Sequence, residues 1–315
     1  MQHSKRWTPG MARLSIKIAA IILLLIVFSQ TGFANDRIPV FVSIVPQKYF
    51  VQQIGNDLVD VQVMVQPGAT PHTYEPKPQQ MVALSKSRLY FAIGVAFEKT
   101  WLKKITATNP TMKVIHTDQG IERIPMTARY HYNEEEERHE RNEKAGEYGH
   151  LDNDRLDPHI WLSPPLVKKQ IRTILTALQE IDPSHRDVYA ANYIQFVSQI
   201  DILDAQLKAT FANQQGLQFM VFHPSWGYFA QTYGLEQIPI EIEGKTPKPG
   251  QLKALIDHAR KRGIKVVFVQ PQFSAKSAAL VAKEIGGQVA FTDPLAEDWL
   301  SNLHQVAAKF QAALK

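Results

Sequence analysis

The sequence predicts an α/β fold of two lobes, each a parallel sheet with helices, joined by a long rigid backbone helix. Three observations carry this expectation. Short β-branched and aromatic runs alternate with helical patterns in the first half of the chain, and the same rhythm returns after Gly216. Strands that alternate with helices imply parallel pairing, because the crossover helices cover both faces of the sheet. Between the two sets, Val188, Ala191, Ile194, Val197, Ile200, Leu203 and Leu207 recur every three or four residues, the period of an amphipathic helix. The chain has 315 residues, 44% hydrophobic and 21% charged, which suits about two domains and excludes collagen-like, low-complexity and wholly disordered classes.

The N-terminus reads as an export signal. Lys5, Arg6, Arg13 and Lys17 lead into the unbroken apolar run Ile18–Phe28. Eleven residues at 1.5 Å rise cannot cross a bilayer core of about 30 Å. Gly32 and Ala34 then give the small-x-small spacing of a signal-peptidase site. Residues 1–34 are expected to be a cleaved signal peptide, leaving 281 of the 315 residues from Asn35 onward. There is no cysteine, which excludes disulfides, thiolate metal sites and an N-terminal lipid anchor. The expected location is therefore the periplasm. The formal charge is +5, but residues 1–34 hold four of the cations and no acid, so the remainder is near +1. Such a balance gives no reason to expect nucleic acid as a partner. No later run approaches a membrane-spanning length, so no direct membrane insertion is expected after signal removal. The mature chain is expected to be a monomer.

In chain order, Pro39–Val45 reads as a buried strand, followed by a helix through Phe50 and Ile54. Val59–Val65, Arg88–Ile93 and Met112–Ile115 are the next strands, completing a first lobe over residues 35–183. Within it, residues 131–157 hold ten acids and four bases with almost no apolar residue, so they are expected to form a mobile surface loop. The linker helix takes residues 184–215, starting at Pro183-Ser184 and ending before Gly216. The second lobe, 216–315, has strands at Gln218–Phe222, Gln237–Ile242, Val266–Val269 and Gln288–Phe291, with helices at Pro249–Lys261 and Ala275–Ile285.

Four residues share one context: a strand end or loop edge beside a proline. They are His72 in Thr-Pro-His, His159 in Asp-Pro-His, His223 in His-Pro-Ser and Asp293 in Thr-Asp-Pro. Ligands of parallel α/β sheets bind outside the carboxyl ends of strands. Two facing sheets would point these four side chains into one cleft, and three imidazoles with one carboxylate suit a four-coordinate Zn²⁺. Glu75, Glu241 and Glu243 are alternative carboxylates. Trp161, Trp226, Tyr228 and Phe229 stand beside the histidines as core or an apolar second layer. A zinc hydrolase would need an open coordination position and a general base, and no HExxH motif is present. A purely adhesive protein would give no reason for the four strand-end residues.

Several segments resemble the metal-binding solute receptors of bacterial ABC importers, most closely the periplasmic zinc-uptake (ZnuA type) members of that family. They are VFVSIVPQKYFVQQIG, VMVQPGATPHTYEPKP, DPHIWLSPP, FHPSWGYFAQTYGL, EIEGKTPKPGQL and VFVQPQF followed by FTDPL. The resemblance implies two four-stranded lobes on a rigid helix, one Zn²⁺ in the cleft, and an ABC importer membrane permease that takes the ion. It carries His72, His159 and His223 onto the family's histidine ligands and Asp293 onto its late carboxylate. His223 stands where manganese receptors usually have Glu, so the resemblance favours zinc over a Mn²⁺ or iron receptor. His131, His139 and His150 occupy the place of the family's histidine- and acid-rich loop. The implied protein is a receptor, not an enzyme. Its affinity is expected to weaken as pH falls toward about 6.5, and its apo and zinc forms to differ mainly around His223 and Asp293.

Overall fold

The computed structural model describes residues 37–126, 156–241 and 247–313. The first set of elements is β1 (Ile38–Val42), α1 (Val45–Gly55), β2 (Val59–Val63), α2 (Pro78–Leu84), β3 (Leu89–Ala92), α3 (Ala96–Thr108) and β4 (Lys113–His116). These strands form one parallel sheet in the order β2-β1-β3-β4. Two long helices follow, α4 (Pro164–Ile181) and α5 (Arg186–Phe211). The second set is β5 (Gln218–Val221), α6 (Gly227–Tyr233), β6 (Glu236–Pro239), α7 (Pro249–Lys261), β7 (Val266–Val269), α8 (Lys276–Glu284), β8 (Gln288–Phe291) and α9 (Trp299–Ala313). Its sheet is again parallel and repeats the order as β6-β5-β7-β8. The α/β class with two parallel sheets is the one the alternation of strands and helices predicts.

Local sequence explains where elements begin. Pro46, Pro78 and Pro249 sit in the first turns of α1, α2 and α7, where a missing N–H leaves nothing unsatisfied. Gln47, Gln80 and Gln251 turn back to the residue before each helix. Their Oε1 atoms accept from the N–H groups of Ile44 (3.3 Å), Lys77 (2.9 Å) and Lys248 (2.9 Å). Otherwise these donors would be orphaned at the helix start. Pro46 also explains why β1 stops at Val42 rather than at Val45.

The long helix is shorter than its sequence pattern suggests. It runs for 26 residues, about 39 Å at 1.5 Å per residue. Pro183–His185 makes a separate tight turn, because Asp182 accepts hydrogen bonds from Ser184 Oγ (2.5 Å) and Tyr189 Oη (2.7 Å). Val188 and Ile194, counted in the apolar stripe, are exposed, while Tyr189 and Phe196 are buried beside Ile200, Leu203 and Leu207. One core joins these residues to Val40 and Phe91 of the first sheet and to Phe219, Val221 and Phe268 of the second. Met220, Ile238, Leu255, Val267 and Val281 fill a smaller core on the opposite face of the second sheet. A helix that shares its core with both sheets resists bending, because close-packed interiors deform little.

Polar ties reinforce this union. Trp299 Nε1 donates to the carbonyl of Trp161, and Trp161 Nε1 donates to the carbonyl of Pro294, both at 2.6 Å. Tyr228 Oη donates to the carbonyl of Asp157 (3.0 Å) and accepts from the N–H of Ile124 (3.2 Å). Lys48 and Glu297 form an ion pair at 2.5 Å. Residues 1–34, where the signal peptide is expected, and 131–155, most of the expected acidic loop, lie outside the described residues. The far end of that loop behaves differently from expectation: Asp157 is buried, 1% exposed. Among the described residues no helix is long and apolar enough to cross a membrane.

Candidate metal centre

The three proline-flanked histidines converge from three different backbone settings. His72 lies in the loop after β2, anchored where Phe97 N–H donates to the carbonyl of Pro71 (3.2 Å). His159 precedes the 3-10 turn Ile160–Leu162 that leads into α4. His223 lies just past the end of β5, where its N–H donates to Gln270 Oε1 (3.2 Å) and its carbonyl accepts from Gln270 Nε2 (2.6 Å). One ring nitrogen from each lies within 4.8 Å of the others, and Nε2 of His72 is 3.0 Å from Nε2 of His223. Bonds of 2.0–2.1 Å at tetrahedral angles would separate zinc-bound nitrogens by about 3.3 Å. The rings are thus spaced for one ion with only small adjustment. Among the described residues this is the only such cluster of three or more histidine or acidic ligands.

Two carboxylates decide which nitrogens face inward. Asp157 Oδ1 accepts from both the backbone N–H of His159 (2.8 Å) and its Nδ1 (2.6 Å). Glu241 Oε1 accepts from Nδ1 of His223 (2.5 Å). Each bond assigns the proton to Nδ1 and leaves the Nε2 lone pair free for a cation. The carboxylates are also buried, so their charge is weakly screened. Desolvation lowers the pKa of His223, with the nearby His159 adding to it, although the Glu241 hydrogen bond pulls the other way. His72 is exposed overall, yet the ring edge it turns to its neighbours is desolvated, and its pKa is also lowered, further by the charges of His223 and His159. Both rings therefore stay neutral below the reference imidazole value of about 6.5. Proton competition at these two rings begins at a lower pH than the reference value suggests.

The rings open on a cavity of about 20 Å³, bordered also by Trp161, Gln272 and Phe273. That volume admits one water-sized particle. Phe273 stacks on His223 (centroids 4.8 Å, planes 24° apart), and Trp161 lies 5.1 Å from the His159 ring. Trp226 and Phe229 belong instead to the buried core.

Asp293 is not part of the ligand cluster. It is half-buried, and its Oδ1 accepts from Gln272 Nε2 and from the N–H of Leu295, both at 2.9 Å. Of the alternative carboxylates, Glu241 holds His223 from behind, Glu75 is exposed outside the cluster, and Glu243 lies outside the described residues. His131, His139 and His150 also lie outside them. Sequence reasoning missed the role of Asp157, although it stands two residues before His159 in Asp-Pro-His. It named Glu241 only as a substitute ligand.

The chain is similar to known zinc-uptake proteins. A family model described as zinc-uptake complex component A, periplasmic, matches residues 40–313. A crystal structure of ZnuA superposes with a TM-score of 0.79 at 46% identity, covering 89% of this chain and 100% of that one. A ZnuA deletion mutant with zinc bound superposes with a TM-score of 0.78 at 44% identity, covering 89% and 99%. The high-affinity zinc uptake system protein ZnuA of Bacillus subtilis is 26% identical over 265 residues, 83% of this chain and 79% of that protein. The zinc-binding protein AdcA of Streptococcus pyogenes serotype M3 is 28% identical over 269 residues, 83% of this chain and 51% of AdcA. With all but its terminal segments matched by the family model, the chain belongs to the periplasmic zinc-uptake complex component A family.

Proposed function

We propose that this chain is a high-affinity zinc receptor that captures Zn²⁺ and delivers it to the membrane permease of an ABC importer. The observation that carries this reading is the convergence of three imidazoles, two of them backed by buried carboxylates, on a cavity sized for one ion. Neutral nitrogen donors suit Zn²⁺, whereas Ca²⁺ and Mg²⁺ require oxygen shells. The ion is cargo and not a catalyst. The chain's own residues fix the donor nitrogens and keep the His72 and His223 rings unprotonated. Residues 1–34 are proposed to act as a cleaved signal peptide, and the mature chain to work in the periplasm as a monomer.

His72, His159 and His223 are the proposed donors, with Asp293 as fourth. Asp293 reaches the ion by giving up its bond to Gln272, and its neighbours Pro294 and Leu295 already border the cavity. Elemental analysis of the purified chain tests the reading. One zinc per chain is expected, with roughly a thousandfold loss of affinity in His159→Ala, about 4 kcal/mol at 1.4 kcal/mol per decade. Preference for Mn²⁺ over Zn²⁺ in direct competition would overturn the choice of metal. Unchanged affinity in Asp293→Asn would assign the fourth position to water.

A further inference from the structure

The three imidazoles are held unequally. His159 and His223 are buried, 5% and 4% exposed, whereas His72 is exposed. Asp157 grips His159 at both the backbone and the ring, and Glu241 grips His223 at the ring. Gln270 fixes the backbone of His223 on both sides. Among the described residues, the ring of His72 has no carboxylate partner. Its one polar contact is to His223 itself, and its backbone N–H donates a longer bond to Thr70 Oγ1 (3.3 Å).

The second lobe buttresses Asp157. Its carbonyl accepts from Tyr228 Oη at 3.0 Å. A Cβ on Gly227 would come within 2.6 Å of Asp157 Oδ2, so the carboxylate fits only because that residue is glycine. His159 is thereby fixed by both halves of the molecule. His72 hangs from one loop.

From these contacts we propose that Asp157 and Glu241 are positioning residues that hold His159 and His223 as a fixed pair of Nε2 donors, while His72 is the movable third ligand through which the ion enters and leaves. The inference rests on the receptor reading above and adds an order of events. The ion meets the fixed pair, His72 closes on it, and release begins when His72 swings out. This departs from the expectation that the apo and zinc forms differ mainly around His223 and Asp293. A packed, carboxylate-bound ring is costly to displace, and a partly exposed one is not.

Stopped-flow zinc release into excess chelator, paired with Co²⁺ absorption spectra of the full chain, tests the proposal. His72→Ala is expected to release zinc about a hundredfold faster, yet still to bind one Co²⁺ with a spectrum of fewer imidazoles. His159→Ala and His223→Ala are expected to lose the Co²⁺ site. Asp157→Asn and Glu241→Gln, which preserve shape, should lose about 10–100-fold in affinity with shifted Co²⁺ bands, as second-layer partners of metal-bound histidines do. Equal losses in the three alanine variants, or wild-type affinity in both amide variants, would overturn the proposal. If the unmodified chain binds neither Zn²⁺ nor Co²⁺, the receptor reading itself fails.

Discussion

The two sheets share one topology but use their crevices in opposite ways. In a sheet ordered β2-β1-β3-β4 the chain reverses direction between β1 and β3, and the gap beyond those strand ends is where a ligand would sit. In the first sheet this gap is filled by the protein itself. Glu98, 4% exposed, accepts hydrogen bonds from Ser43 Oγ (2.5 Å), Ile93 N–H (3.0 Å) and Gly94 N–H (2.7 Å). Tyr90, Gln47 and Thr117 complete the plug. In the second sheet the equivalent gap, after β5 and β7, holds His223 and Gln270 and faces the ion cavity. One crevice is closed by an internal carboxylate, and the other presents an imidazole. The first lobe instead offers its ligands from the loop after β2 and from the segment before α4. The fold supplies two sites in principle, and the side chain placed at each decides whether it binds anything.

Emptying the plugged crevice gives the largest expected effect. Glu98→Ala leaves the N–H groups of Ile93 and Gly94 without acceptors, which costs about 2 kcal/mol or more at about 1–3 kcal/mol per group. Thermal unfolding should show a large drop in Tm, with zinc affinity affected far less. A stable Glu98→Ala protein with impaired zinc binding would break the division of labour between the crevices.

A smaller effect sharpens the link between lobes. Gly227→Ala drives a methyl into Asp157 Oδ2, displacing the carboxylate that orients His159. Zinc affinity should fall about tenfold, or about 1.4 kcal/mol. Full affinity by chelator competition would show that Asp157 need not be held from the second lobe.

The smallest effect is a pH dependence of opposite sign at the two crevices. Burial lowers the pKa of His223, so below about 6.5 the unfolded chain takes up a proton that the folded chain refuses. Stability of the metal-free protein therefore falls as pH drops through that window. Burial raises the pKa of Glu98 against its three hydrogen bonds. Just above the usual carboxylate range the folded chain keeps a proton that the unfolded chain loses, so this group's contribution falls as pH rises. In Tm measured against pH, His223→Gln should flatten the acid decline and Glu98→Gln should steepen it. Identical slopes in all three proteins would contradict both assignments.

The sequence made the second half and the histidines easy to read. Pro249–Lys261 starts and stops where its proline and basic last turn place it. The three histidines share a proline neighbour, and the structure brings them together. Other features depend on packing that no local pattern records. Val188 and Ile194 fit the apolar period of the long helix yet face solvent, because Tyr189 and Phe196 take the buried positions. Asp157 looks like the tail of an acidic run in the sequence, yet it is buried beside His159. Asp293 shares the proline context of the histidines, but its carboxylate is turned to Gln272 and Leu295. A proline neighbour stiffens a backbone without aiming the side chain.

The central claim is that imidazoles from distant parts of the chain meet on one ion. X-ray absorption at the zinc edge of the loaded protein tests it most directly. Nitrogen donors at about 2.0–2.1 Å, with the multiple scattering of three imidazole rings, are the predicted result. A shell made only of oxygen donors, with no imidazole signature, would contradict it.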